Sequence, residues 1–215
     1  MEIQIERPMM LANQTIQAFL EKTASGEPVP GGGSAAALNA ALAAALVEMV
    51  ARLTIGKKGF EAVQPRMQDI AEVCKELRDT LLFDIDRDSD AYTQVLAAYR
   101  LPKGTEEERD HRKAAIQKAF RTAASVPRDV AEKALRIMQL AGEVIRNGNP
   151  NAASDGAAGM LAARMAALTA LYNVRINLPS VEDAQWCSDM RDAAARMEDE
   201  VHSLEAAITP SIPIP

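Results

Sequence analysis

Residues 28–34 read Pro-Val-Pro-Gly-Gly-Gly-Ser and run directly into an alanine-rich stretch. Two prolines stiffen the approach and three glycines strip side chains from the turn. Ser34 is placed to cap the helix that follows. The free N–H groups of a helix start, with its positive dipole end, suit an anion or a polar ring edge. Bare backbone at Gly31, Gly32 and Gly33 lets a ligand come close. The alternative is that the glycines only let two helices pack around a sharp corner. Neither familiar nucleotide loop fits. A Walker loop needs a Lys that this spacing lacks, and a dinucleotide fingerprint needs a preceding strand. Here the preceding residues place Leu11, Ile16, Phe19 and Leu20 at helical spacing.

Other residues able to do chemistry lie far off in the chain. Residues 84–90 read Asp-Ile-Asp-Arg-Asp-Ser-Asp. Mutual repulsion among these carboxylates disfavours a helix interior, where Asp84 and Asp88 would share one face and Asp86 and Asp90 another. A calcium loop is excluded, because the positions needing Gly and Glu hold Ser89 and Val95. The run is either a solvated acidic face or carries one partly buried carboxylate for acid/base work or for holding a heterocycle. Lys57 and Lys58 sit between glycines on a tight connection, solvated or poised to hold a carboxylate or lend a proton. Lys103, after a helix stop, has the same two readings. Ser154 and Asp155 begin a helix and suit capping. Asn173 and Asn177 lie one turn apart, as buried amides or surface groups. His111 and His202 have no partner at ligand spacing, so neither a metal site nor a Ser/His/Asp arrangement is expected.

These groups are carried by helices. The spacing predicts helices over about 11–24, 34–54, 61–99, 106–124, from near Pro127 to about 146, 153–176 and 181–207. Thr105-Glu106-Glu107-Glu108 is a capping box. Pro127 marks a kink or the first turn of a new helix. A helix over 61–99 would be about 55–60 Å long at roughly 1.5 Å per residue, so a kink or a protruding end is expected. The tail from Thr209 to Pro215, with three prolines, is expected to be extended. The fold class is all-α: an up-and-down bundle of six or seven helices in a single domain over 1–215. Small residues in the 34–54 helix suit a central or interface position, and a two-fold homodimer is the default pairing.

Composition narrows the classes. The chain has 215 residues, 4% aromatics and a net charge of −6, which favours helices and argues against general nucleic-acid binding. Cys74 and Cys187 are isolated, so a disulfide framework is not expected and a reduced, cytoplasmic compartment is. Glu2 and Glu6 lie in an N-terminus without a signal-peptide core. The apolar run 35–47, broken by Asn39 and ended by Glu48, reads as a buried helix rather than a membrane span.

Taken in order, several segments resemble the cyclodeaminase/cyclohydrolase family. That family includes the C-terminal domain of formiminotransferase-cyclodeaminase and stand-alone bacterial methenyltetrahydrofolate cyclohydrolases. The matching segments are Pro30-Gly-Gly-Gly-Ser34, Leu53-Thr-Ile-Gly-Lys-Lys58, the acidic run through Asp86 and Asp88 to Ala91-Tyr92, Ala98-Tyr-Arg-Leu-Pro-Lys103, Asn149 through Ser154-Asp155, and Asn173-Val-Arg-Ile-Asn177. The resemblance implies an all-helical, dimeric folate enzyme with no metal and no cofactor beyond its tetrahydrofolate substrate. One branch hydrolyses 5,10-methenyltetrahydrofolate to 10-formyltetrahydrofolate. The other cyclises 5-formimidoyltetrahydrofolate with loss of ammonia. A chain of one domain's length favours the cyclohydrolase; a non-catalytic folate-binding or helical interaction protein is the remaining class. On this reading Asp88 and Asp155 flank the cationic one-carbon bridge and Lys57 or Lys58 relays protons. Gly31, Gly32, Gly33 and Ser34 offer backbone to the ligand, with Asp86, Tyr92, Ser154, Asn173 and Asn177 beside it. Lys103 or Arg52 steers the anionic glutamate tail. The glycines, lysines and carboxylates must then meet in one pocket, counting both protomers.

Overall fold

The computed structural model describes residues 10–213. Among these residues six α-helices carry the fold: α1 (Ile16–Thr23), α2 (Gly32–Arg52), α3 (Gln64–Tyr99), α4 (Glu106–Asn147), α5 (Ala153–Asn177) and α6 (Ala184–Ile208), with short 3-10 turns between α2 and α3, α4 and α5, and α5 and α6. There is no strand among the described residues. Consecutive long helices run antiparallel. Ser34 meets Ile85 while Arg78 meets Glu48, Asp84 meets Lys133 while Arg66 meets Glu143, and Gly156 packs on Ile145 while Asn177 meets Ala123. The expected up-and-down order is therefore observed.

Small residues set the spacing at the centre. Ala36, Ala40, Ala43 and Ala44 of α2 are fully buried, as are Ala163, Ala166, Ala167 and Ala170 of α5. A Cβ on Gly159 would stand 3.1 Å from Val47, so α2 and α5 approach as closely as side chains permit. By length and apolar content α2 and the segment 150–180 could each cross a membrane, which the short run 35–47 does not convey. Within this fold 61% of the α2 window is buried. Glu48 on the same helix is ion-paired with Arg52 and Arg78 at 2.8 and 2.6 Å.

α3 and α4 outgrow the bundle. At 36 and 42 residues they span about 54 and 63 Å, whereas the 21 residues of α2 span about 32 Å. Their far ends form an arm with a separate core of Ala91, Val95, Ala98, Ile116, Ala119, Ala123 and Val126. The protruding end expected for a 61–99 helix is this arm, and the Thr105–Glu108 capping box opens α4 as expected.

Several local expectations are corrected. Residues 11–24 split into a 3-10 turn at Leu11–Asn13 and α1 capped by Thr15; Ile16 faces outward while Phe19 is buried. Residues Thr209–Ser211 form a 3-10 turn rather than extended chain. The expectations on Glu2 and Glu6 lie outside the described residues.

Pro127 neither ends nor starts a helix. It lies inside α4, which runs unbroken through it. Proline has no N–H for the carbonyl four residues earlier, which is Ala123. The Asn177 side-chain amide fills that vacancy, donating from Nδ2 to the Ala123 carbonyl at 3.1 Å. Ala123 is buried, so an unpaired carbonyl there is costly. Asn177→Ala is expected to lose about 1–3 kcal/mol in urea unfolding. Pro127→Ala, which restores the backbone donor, should recover most of that loss in the double variant.

Candidate functional site

Gly31 holds the cap position of α2 and no side chain caps it from within the loop. Ser34, expected there, is instead the third residue of the helix and is fully buried. The cap comes across the bundle from α3. Asp88 lies against this helix start, its Oδ2 3.1 Å from the Ser34 hydroxyl. A Cβ on Gly33 would fall inside the Asp88 carboxylate, so glycine at this position is what admits it. Burial raises the Asp88 carboxyl above its ordinary value, and the Ser34 hydroxyl and backbone N–H offset part of that rise. A half-buried carboxylate that can take up a proton sits on the positive end of a helix.

Asp88 opens onto a cleft of about 320 Å³ lined also by Val29, Gly31–Gly33, Tyr92, Asn173, Ile176 and Asn177. Gly31, Gly32, Gly33, Asp88, Tyr92, Asn173 and Asn177, singled out in the sequence, thus converge. Both N–H bonds of the Asn177 amide are spent inside the protein, on Ala123 and Asn173 carbonyls. Asn173 donates to the Thr169 carbonyl and its amide stands 3.3 Å from where a Gly32 Cβ would be.

The rest of the acidic run sits inside α3 despite the repulsion expected there. Three of the four aspartates are met by different neighbours. Asp84, wholly buried, is bound by Arg87 and Lys133 at 2.5 Å each. Asp86 accepts from the Leu11 backbone N–H at 2.8 Å and does not line the cleft. Asp90 is exposed.

The lysines form a second constellation at the opposite end of α2, about 30 Å away by helix length. Lys57 Nζ donates to Asn149 Oδ1 at 2.7 Å. Asn149 is anchored by its backbone N–H to the Thr54 hydroxyl and by Nδ2 to the Leu53 carbonyl. In the sequence Asn149 stands out only as part of a turn-forming segment, and the Asn-Pro pair that signals this turn also supplies the lysine's acceptor. Lys58 is exposed. Ser154 and Asp155 occupy the first turn of α5 near this end, but they do not cap it, since the cap position is Ala152. Within one protomer, then, Lys57, Lys58, Ser154 and Asp155 do not join Asp88. Lys103 lies elsewhere again, in a cavity of about 430 Å³ at the tip of the arm with Arg109 and Arg112. Arg52 is engaged with Glu48. No group of His, Cys, Asp and Glu able to hold a metal ion occurs among the described residues.

An up-and-down helical domain with a glycine-capped carboxylate cleft defines a class, and comparison with known proteins places the chain within it. The profile of the family described as Formiminotransferase-cyclodeaminase matches residues 15–196. The chain is 39% identical over 180 residues to a methenyltetrahydrofolate cyclohydrolase of Methylorubrum extorquens, covering 84% of this chain and 86% of that one. It is 31% identical over 198 residues to the formimidoyltransferase-cyclodeaminase of Gallus gallus, covering 92% of this chain but only 37% of that longer protein. Its fold superposes on the crystal structure of a formiminotetrahydrofolate cyclodeaminase from Thermotoga maritima with a TM-score of 0.84 at 29% identity, covering 93% and 96% of the two chains. The chain belongs to the formiminotransferase-cyclodeaminase family.

Proposed function

We propose that this protein is a folate one-carbon enzyme that hydrolyses 5,10-methenyltetrahydrofolate to 10-formyltetrahydrofolate, working as a homodimer. The observation that carries this reading is Asp88, a proton-accepting carboxylate facing a cleft whose floor is bare helix-start backbone. The cationic bridge carbon of the substrate lies beside Asp88. Water adds to that carbon while Asp88 accepts its proton. The tetrahedral adduct then breaks its bond to N5, which takes a proton back, and the hydroxyl proton leaves as the formyl group forms. One proton is released overall. Identity of 39% to the cyclohydrolase across most of its length favours this reaction over the cyclodeaminase one.

The homodimer is supported by the outer face of α2 and α5. These helices pack side by side, and each leaves an apolar stripe in the open: Leu42 and Met49 on α2 with Leu53 just past its end, and Leu161, Met165 and Tyr172 on α5. Leu42 is 52% exposed and Tyr172 59%, which a face destined for a second copy explains. A two-fold axis lying across these helices would reverse the partner's α2. Lys57 and Asp155 of the partner subunit would then come to the Asp88 end of the first, completing two equivalent sites.

Loss of the methenyltetrahydrofolate absorbance on adding the protein tests the reaction, and ammonia release from 5-formimidoyltetrahydrofolate tests the alternative. The shared site has its own test. Asp88→Asn and Lys57→Ala are each expected to be nearly inactive. Mixed and allowed to exchange subunits, they should regain about one quarter of wild-type activity, since half the dimers are mixed and one of their two sites is intact. No recovery in demonstrated mixed dimers would mean that each protomer works alone.

A further inference from the structure

Behind Asp88, out of reach of the cleft, lies a hydroxyl with too many neighbours for its one proton. Ser34 Oγ is 2.9 Å from the Ile85 carbonyl oxygen, 3.1 Å from Asp88 Oδ2 and 3.1 Å from Ser89 Oγ. Ser34 is wholly buried and Ser89 is 8% exposed. A serine hydroxyl donates once and accepts twice. The Ile85 carbonyl can only accept. As a residue in the interior of α3 it is also the helical acceptor for the residue four positions on, so it does not depend on Ser34.

Two arrangements satisfy every atom. With Asp88 ionised, Ser34 donates to Oδ2 and accepts from Ser89. With Asp88 protonated, the carboxyl donates to Ser34 Oγ, Ser89 donates to its other lone pair, and Ser34 turns its proton to the Ile85 carbonyl. Only the orientation of one hydroxyl separates these two states, and no heavy atom has to move. We propose that Ser34 is a positioning residue for the reaction, a hydroxyl rotor that turns as the proton arrives on and leaves Asp88, so that the carboxyl is held in the same place throughout the cycle. This rests on Asp88 being the base of the proposed reaction.

The surroundings leave this role to Ser34. From α2 the groups facing Asp88 are Gly31–Ser34, none of which titrates. On α3 Asp84, one turn before, is tied to Arg87 and Lys133, and Tyr92 lies one turn after. α4 presents Ala123, and α5 presents Asn173, Ile176 and Asn177. In the proposed dimer Lys57 of the partner subunit would add one cation.

The test compares Ser34→Ala with Ser89→Ala. Ser34→Ala takes a donor from the ionised carboxylate and an acceptor from the protonated carboxyl; the bond to the charged form is the stronger, so the midpoint for Asp88 should move to higher pH by about one unit, the difference between the two. It is read as the acid limb of the kcat/KM profile, with up to about a tenfold loss relative to wild type below both midpoints and recovery at high pH. Ser89 donates in both arrangements, so Ser89→Ala should leave the midpoint in place. The Asp88 carboxyl is also titrated directly, by infrared difference between ligand-free protein and its Asp88→Asn counterpart in each background. That reading needs no turnover, so a wrong catalytic assignment for Asp88 would appear as activity surviving Asp88→Asn while the Ser34 test still stands. A Ser34→Ala protein with an unmoved carboxyl midpoint, or Ser89→Ala shifting it equally, overturns the rotor.

Discussion

Asp88→Asn is expected to lower methenyltetrahydrofolate hydrolysis by about 10²–10⁴-fold, the range for removing a general base, and at the same time to raise Tm at neutral pH. The two effects have one cause. Burial lifts the Asp88 carboxyl above its ordinary value, which outweighs the help from Ser34. A carboxyl raised on folding adds stability while it is protonated, fully so below its unfolded value near pH 3.9. That contribution is lost as pH rises through the folded value. At pH 7 the native protein therefore holds a carboxylate it would rather not charge. Asn keeps the shape, accepts from the Ser34 N–H with its oxygen and donates to Ser34 Oγ with its nitrogen, with no charge to desolvate. Thermal melts of both proteins from pH 4 to 8 should show the advantage of Asn growing with pH and closing at the acid end. A variant that melts below the wild type at pH 7, or by a pH-independent margin, would contradict the burial argument.

The same residue marks what could and could not be read along the chain. Helical spacing located the bundle, the Thr105–Glu108 box located the start of α4, and three glycines before an alanine run located the floor of the cleft. Those signals are local, because caps and amphipathic faces involve residues three or four apart. The failures are long-range. Four aspartates look hostile to a helix until Lys133 and the Leu11 N–H arrive from other elements to take two of them. Pro127 looks like a break until Asn177 supplies the missing donor. Ser34 looks like a cap until Asp88 reaches the same helix start from α3. Motif order likewise carries no distance. Gly33 and Lys57 are close in sequence, yet the rigid α2 holds them apart by its full length, and neither residue encodes that separation.

Gly33→Ala brings the local and long-range rules into conflict. By helix propensity alone, alanine in place of glycine in α2 should add about 1 kcal/mol. Here the added methyl would occupy the space of the Asp88 carboxylate, with Oδ1, Cγ and Oδ2 all inside any allowed contact. Neither wall yields easily: Ser34 is fully buried behind the carboxylate, and the adjoining α3 backbone is held by the Ser34–Ile85 hydrogen bond. The substitution must expel Asp88 from the helix start or spread α2 from α3. The expected result is a loss of about 1–3 kcal/mol, as for an overpacked core, and a fall in turnover comparable to that of Asp88→Asn. Gly32→Ala is the control, because its methyl meets only the Asn173 side-chain amide at 3.3 Å and should be mild. The decisive measurement is a double-mutant cycle in urea with Asp88→Ala, which removes the obstructing group. If the clash is the cause, Gly33→Ala should be destabilising in the wild-type background and neutral or stabilising beside Asp88→Ala, where propensity is all that remains. Equal costs in both backgrounds would mean that Gly33 is there for some reason other than the carboxylate it admits.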